Sequence, residues 1–233
     1  MQRLRRLSGR RAARLEEGAF VLEGPTLVRE ALEAGLALTE VFATPDADPD
    51  LVRTLASSGV PVHSVPAHVL ARAVDAVAPQ GIAAVIPRIE VDLEVAVSAA
   101  AAGALTLVLV DVSDPGNAGT LVRAAEAAGA AAVLFCGNSV DPCNPKCVRA
   151  SAGAMFHVPF ANGGGALAVL ELLKGAGVRC AATVVDEGVP YDEADLSGPL
   201  ALVLGSEAHG LPASVTDAVD VRLTIPMAGR SES

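Results

Sequence analysis

Short apolar runs alternate with longer segments of mixed polarity along the whole chain, and glycine or proline marks most of the changes. Ala19–Leu22 is an apolar run of strand length, and Pro25–Ala34 reads as a helix closed by Gly35. Leu38–Ala43 predicts a second strand, Pro49–Ser58 a polar-faced helix stopped at Gly59, Val62–Val65 a strand, Ala67–Val74 a helix and Ile82–Ile86 a strand. Pro87 to Ala104 reads as a joint: a breaker, a short acidic stretch and an alanine run ending at Gly103, either a helix or a plain tether. The second half opens on Leu105–Val110, a continuous apolar run suited to a central parallel strand, followed by a helix over Ala118–Ala128 and a stop at Gly129. Further strands are predicted at Ala132–Phe135, Met155–Val158, Val178–Val185, Leu200–Leu204 and Val221–Ile225. Helices fit near Pro145–Ala152, Ala166–Lys174 and Ala213–Ala218. The expected fold is therefore α/β throughout: a small α/β domain over 1–90, a linker over 91–104 and a second α/β domain over 105–233. The second domain should hold a mostly parallel, open sheet, with ligands beyond the carboxyl ends of its strands.

Composition narrows the class without naming the function. Hydrophobic residues at 52% against 19% charged describe an ordinary folded protein of 233 residues. The start, MQRLRRLSGRRAARLEEG, is basic but lacks the apolar stretch of a secretory signal, and the longest low-charge run, Val95–Val110, is shorter than a membrane span. A soluble, cytoplasmic protein is expected. Cys136, Cys143, Cys147 and Cys180 lack the paired knuckles of a zinc site, so buried or loop thiols are the expectation and no metal is assigned.

Charge is unevenly placed. Arg3, Arg5, Arg6, Arg10, Arg11 and Arg14 all precede the first acid, Glu16, so the first fourteen residues carry +6 on a chain of net charge −10. Such an arm can hold a polyanion locally, because screening confines the effect to roughly 10 Å. A solvated, frayed terminus accounts for the arginines equally well.

Three loops, each following a predicted strand, carry the chemistry. In Asp111-Val-Ser-Asp-Pro-Gly-Asn-Ala-Gly-Thr-Leu-Val-Arg123, the Asp114–Asn117 stretch is turn chemistry, Asn117 is a candidate helix cap and Gly119 permits a close backbone approach. Arg123 sits about a turn and a half inside an otherwise small, apolar helix, where an unpaired charge is expected to be costly. In Leu200–Gly210, a buried strand runs into Gly205, suited to a tight turn or a flat ligand, with Glu207 at the rim. In Ile225-Pro-Met-Ala-Gly-Arg-Ser-Glu-Ser233 a strand stops at a proline and enters a glycine-containing loop.

Taken together, in this order and spacing, the loops resemble the three motifs of the SpoU (TrmH-like) branch of the SPOUT methyltransferases. Asp111, Asp114, Pro115, Asn117, Gly119 and Arg123 match the first motif, and Leu204, Gly205, Glu207, Gly210 and Leu211 the second. Ile225, Pro226, Met227, Gly229 and Ser233 match the third. Arg149–His157 is similar to the family's connecting segment. Phe20-Val-Leu-Glu23-Gly24 and Pro79-Gln80-Gly81-Ile82-Ala83 are similar to the substrate-binding domain of its ribosomal-RNA enzymes. The chain ends at Ser233, inside the third motif, so it is expected to be a piece of a longer protein whose closing segment completes a trefoil knot.

The resemblance implies transfer of a methyl group from S-adenosylmethionine to a ribose 2′-hydroxyl of structured RNA, 23S ribosomal RNA rather than transfer RNA, by a homodimer. It places Arg123 at the hydroxyl, with Asn117, Glu207 and Ser233 around it, and the cofactor against Thr183, Gly205, Ile225 and Met227. RNA contacts are expected from Arg3, Arg5, Arg6, Arg10, Arg11 and Arg14. A non-catalytic RNA-binding module is the alternative, opposed by the joint presence of Asn117, Arg123 and Glu207. A dinucleotide enzyme would need a G-x-G pattern after the first strand of its sheet, which Asp111–Gly119 does not supply. Gly163-Gly164-Gly165 reads as well as a flexible helix entry.

Overall fold

Two short helices, α1 (Gln2–Gly9) and α2 (Arg11–Glu17), open the chain in the computed structural model, which describes residues 1–103 and 105–226. They are followed by β1 (Ala19–Glu23), α3 (Pro25–Glu33), β2 (Glu40–Ala43), α4 (Pro49–Ser57), β3 (Val62–Ser64), α5 (Ala67–Ala71) and β4 (Ile82–Pro87). Next come α6 (Leu93–Ala102), β5 (Leu105–Val110), α7 (Pro115–Ala127), β6 (Ala132–Cys136), α8 (Pro145–Ser151) and a 3₁₀ turn at Ala154–Phe156. The chain continues through β7 (Phe160–Gly164), α9 (Ala166–Gly175), β8 (Arg179–Thr183), β9 (Val189–Pro190), β10 (Leu200–Leu204), α10 (Ala213–Ala218) and β11 (Val221–Thr224). Proline opens α3, α4, α7 and α8, where its missing N–H costs nothing and its fixed φ suits the first helical position. Asp48 caps α4 by accepting the N–H groups of Asp50 and Leu51 at 2.9 and 3.3 Å, and Asn144 caps α8 through the Lys146 N–H at 2.9 Å.

Two compact units result. The first joins Met1–Ile89 to Pro115–Arg123 and Asp141–His157, and the second takes up the remaining described residues from Glu90 onward.

The first unit holds a four-stranded sheet in the order β1-β4-β2-β3, antiparallel except for the parallel β2–β3 pair. Every residue of β1 is buried because both faces are covered, so the strand shows no apolar–polar alternation. Leu4 and Leu7 of α1 are fully buried in the cluster that contains Val21, Phe42 and Val85, and α8 packs against β1. The N-terminal segment is thus a docked helical element, not a frayed one.

The second unit holds a seven-stranded sheet, β7-β6-β5-β10-β8-β11-β9, in which every described pairing is parallel. The undecided joint is the helix α6: Ala96 and Ala100 are buried in the unit's core, where small side chains let a helix lie close to β6 and β7. The strand expected over Met155–Val158 does not form. Gly153 turns left-handed at φ +94°, the chain makes the 3₁₀ turn, and pairing with β6 begins only at Phe160. Met155 and Val158 are buried, so their apolarity signalled burial and not a ladder. Among the described residues no helix is long and apolar enough to cross a membrane.

Candidate functional site

From β5 the chain moves outward to β6 and β7, then crosses to β8 on the other side, with β10 inserted between β5 and β8. The direction of strand succession therefore reverses beside β5 and β10, and such a reversal opens a crevice at the carboxyl ends of a parallel sheet. Thr183 ends β8, Gly205 follows β10 and Ile225 follows β11. The registers Val203↔Ala182 and Leu223↔Thr183 set these three residues side by side along that edge. Met227 and Ser233 lie outside the described residues.

The loop after β10 folds on itself. Ser206 and Gly210 exchange backbone hydrogen bonds of 3.1 and 2.8 Å, and the Ser206 Oγ accepts the Ala208 N–H at 3.3 Å. A Cβ on Gly205 would stand 2.6 Å from the Leu211 nitrogen, so glycine is needed there for the turn itself. Glu207 is exposed on this loop.

Past the strand ends lie Val185, Tyr191 and Ile225, which are 72, 53 and 58% exposed. Thr224 ties them into one edge: its Oγ1 donates to the Val185 carbonyl at 2.9 Å, and its carbonyl accepts the Tyr191 N–H at 3.0 Å. Apolar side chains left open at the ligand edge of a parallel sheet suit a flat, partly apolar group. Sequence reading missed Tyr191, the chain's single tyrosine, because the β9 strand that delivers it has only two residues.

The loop after β5 is held from below. Asp111, left-handed at φ +57°, accepts the Asn138 N–H at 2.7 Å, and the Ser139 Oγ accepts the Val112 N–H at 3.1 Å while donating to the Leu109 and Cys136 carbonyls. Asp111 and Ser139 thus fasten the first-motif loop to the end of β6. The four cysteines are buried and none is in a disulfide among the described residues. Burial, with the Asp111 carboxylate nearby, pushes the Cys136 thiol up to about 12, and burial with Asp220 takes Cys180 to about 11. Neither is poised as a nucleophile.

In the first unit, the α7 segment presents Asn117 and Arg123. The helix starts at Pro115, so Asn117 stands inside its first turn and does not precede it as the expected cap. Asn117 and Arg123 are both exposed, but six residues separate them by about 9 Å of rise and about 120° of rotation, so they do not share a face. The buried positions of this helix are Ala118, Gly119, Val122 and Ala125. Gly119 is explained by α8: a Cβ there would lie 2.6 Å from the Ala150 Cβ and 2.9 Å from the Ser151 nitrogen. The close approach read from sequence is therefore helix on helix. Arg123 lies one turn further on, in solvent, so it carries none of the burial cost expected of it. Its guanidinium forms no ion pair among the described residues.

The arginine arm divides. Arg14 is 3% exposed; its Nε donates to Asp141 at 2.7 Å and its Nη1 to the Leu7 carbonyl at 2.9 Å. The assignment of Arg14 to RNA is corrected accordingly, since a buried guanidinium already paired with Asp141 does not reach a phosphate. Arg3 pairs with Glu17 and Glu40, and Arg6 with Glu16 and Glu17. Arg5, Arg10 and Arg11 are exposed and make no ion pair among the described residues.

Known proteins resemble this chain in sequence and in fold. Residues 104–233 match the SpoU rRNA Methylase family, and residues 1–84 match the MRM3-like substrate binding domain. The 23S rRNA (guanosine(2553)-2′-O)-methyltransferase RlmP of Bacillus subtilis is 32% identical over 221 residues, 94% of this chain and 84% of its own length. The AdoMet-bound rRNA methyltransferase of Sinorhizobium meliloti superposes with a TM-score of 0.84 at 28% identity, covering 100% of this chain and 87% of that one. The SpoU methyltransferase AviRb of Streptomyces viridochromogenes, in complex with AdoMet, gives a TM-score of 0.85 at 25% identity, covering 100% and 90%.

Proposed function

Given that the chain belongs to the SpoU rRNA methylase family and is an AdoMet-dependent RNA methyltransferase, we propose that it methylates a ribose 2′-hydroxyl of 23S ribosomal RNA. The observation that carries the ribose reading is Arg123: a guanidinium with no ion pair among the described residues, displayed in solvent on a helix that Gly119 and Val122 anchor. The similarity to RlmP supports the choice of RNA. By the same family analogy the protein works as a cytoplasmic homodimer, and its RNA is held by residues 1–90, with Arg5, Arg10 and Arg11 meeting phosphates.

AdoMet supplies an electrophilic methyl group, and Thr183, Gly205, Ile225 and Met227 are assigned to hold it. The open apolar edge formed by Val185, Tyr191 and Ile225 fits that assignment. Arg123 grips an RNA phosphate and the hydroxyl oxygen as negative charge grows there, a task suited to a planar, two-pronged donor. A guanidinium stays protonated in proteins, so Arg123 does not remove the hydroxyl proton; a phosphate oxygen or a water accepts it. Asn117, Glu207 and Ser233 are assigned to orient the ribose.

Single-turnover methylation with tritiated AdoMet, followed by mapping of the product, tests this reading. Arg123→Ala is expected to cut the rate by about 10²-fold or more while AdoMet binding survives, and Arg123→Lys to rescue poorly. A methyl group found on a base, or a folded Arg123→Ala protein working at the parental rate, would refute it.

A further inference from the structure

The two N-terminal stretches singled out in the sequence, Phe20–Gly24 and Pro79–Ala83, hold none of the residues assigned above to methyl transfer, yet Glu23, Gly24, Pro79, Gln80 and Ile82 from them line one cavity of about 280 Å³ in the first unit. We propose that this cavity receives one unpaired nucleobase of the RNA, an inference that rests on the RNA-methyltransferase reading above.

Its walls are aliphatic: Leu27 of α3, Leu70 and Val74 at and after α5, and Ile82 of β4. Three charged groups stand beside it, and they are spent on one another. Arg149 of α8 pairs with Glu23 and, at 2.8 Å, with Asp75, while the Glu23 carboxylate also accepts the Asp75 N–H at 2.7 Å. Two carboxylates outnumber the one guanidinium, so the cluster disfavours a phosphate and the walls suit a neutral, flat group. The Gln80 amide supplies one donor and one acceptor set, as the edge of a nucleobase requires.

The cavity is also built in advance. The Glu23–Asp75–Arg149 cluster fixes the loop between α5 and β4. Gly24, at φ +96°, leaves room for Gln80, whose Oε1 would stand 2.8 Å from a Cβ there. A preformed wall spares the ordering cost of binding. Small-ligand sites commonly run from about 300 to 1,000 Å³, and this volume lies at the small end of that range, as a single base requires. Val77, fully exposed on the same loop between the lining residues Ala76 and Ala78, extends the apolar lip.

The test compares the full chain with Gln80→Ala and with Ala78→Trp, which fills the cavity from its exposed rim. Each is titrated by fluorescence anisotropy with an unstructured nine-nucleotide RNA containing all four bases, and with an abasic strand of equal length. Melting curves check that each variant is folded. Both variants are expected to bind the RNA about tenfold more weakly, with the slope of affinity against salt unchanged because no phosphate contact is lost. The abasic strand should bind the parental protein as weakly as the RNA binds the variants, and the variants should weaken it no further. Should Ala78→Trp unfold, Gln80→Ala and the abasic strand carry the same comparison. A parental protein that holds both strands alike, or folded variants that hold the RNA as the parent does, would overturn the pocket and leave RNA binding intact. Free nucleoside monophosphates binding as tightly as the strand would overturn RNA as the source of the base. A parental protein that binds neither strand would overturn this inference together with the reading on which it rests.

Discussion

Replacing Arg14 by Met tests the docked arm at its deepest point. The substitution keeps the length and apolar stem of the side chain but removes the Nε bond to Asp141 and the Nη1 bond to the Leu7 carbonyl near the end of α1. Asp141, 3% exposed, is left with the Cys143 N–H at 3.1 Å and Arg88 at a longer 3.3 Å. Removing one partner of a buried pair costs about 3–5 kcal/mol, and the residual Arg88 contact points to the lower end, about 3 kcal/mol. For a chain of this size each kcal/mol moves the melting temperature by about 2–4 °C, so a fall of about 6–12 °C is expected. A double-mutant cycle with Asp141→Asn should return a coupling of about 2 kcal/mol. Circular dichroism melts of the four proteins measure both quantities. A melting temperature within a degree or two of the parent would mean that Arg14 is solvated, and would return it to the RNA-facing set.

Three further outcomes are expected. Replacing Arg5, Arg10 and Arg11 together by Ala should lower the slope of log affinity against log salt by about 2–3, whereas replacing the neutralised Arg3 and Arg6 should change it less; equal slopes from both sets would show that the glutamate pairs do not form. Ellman's reagent at neutral pH should leave Cys136 and Cys180 unmodified in the native protein and react with them on unfolding, because burial holds both thiols far above their usual range; prompt native reaction would contradict that burial. Burial raises the Asp220 pKa, but the Cys180 N–H, at 2.7 Å, and Lys174, at 3.0 Å, outweigh it and hold the carboxyl below its ordinary value. Its contribution is therefore complete above the unfolded aspartate pKa and disappears as the pH falls through the lower folded value, so Asp220→Asn should flatten the acid limb of stability measured by urea unfolding.

Much of this protein is written locally. Apolar runs of four to six residues bounded by glycine or proline are enough to place β1 and β4, since a strand covered on both faces needs nothing else. Proline openings and the Asp48 and Asn144 caps mark helix starts because the groups they satisfy lie within three residues. The three loops were legible as a set because each follows directly from a strand end, so order along the chain preserves position at the sheet edge.

What the local pattern leaves open, tertiary packing decides. An apolar segment such as Met155–Val158 is buried in either state, and only the left-handed Gly153 and the late start of pairing with β6 make it a turn. Six arginines in a row of fourteen residues look alike in sequence; Asp141, 127 residues away, separates Arg14 from the others. The alanine run of α6 becomes a packed helix because β6 and β7 offer it a surface. Glu23 and Arg149 stand 126 positions apart, and their meeting closes a cavity that neither segment announces. Periodicity and capping act over one or two turns and survive in any context, whereas ion pairing, close helix contact and the choice between turn and strand depend on partners that the chain brings near only by folding.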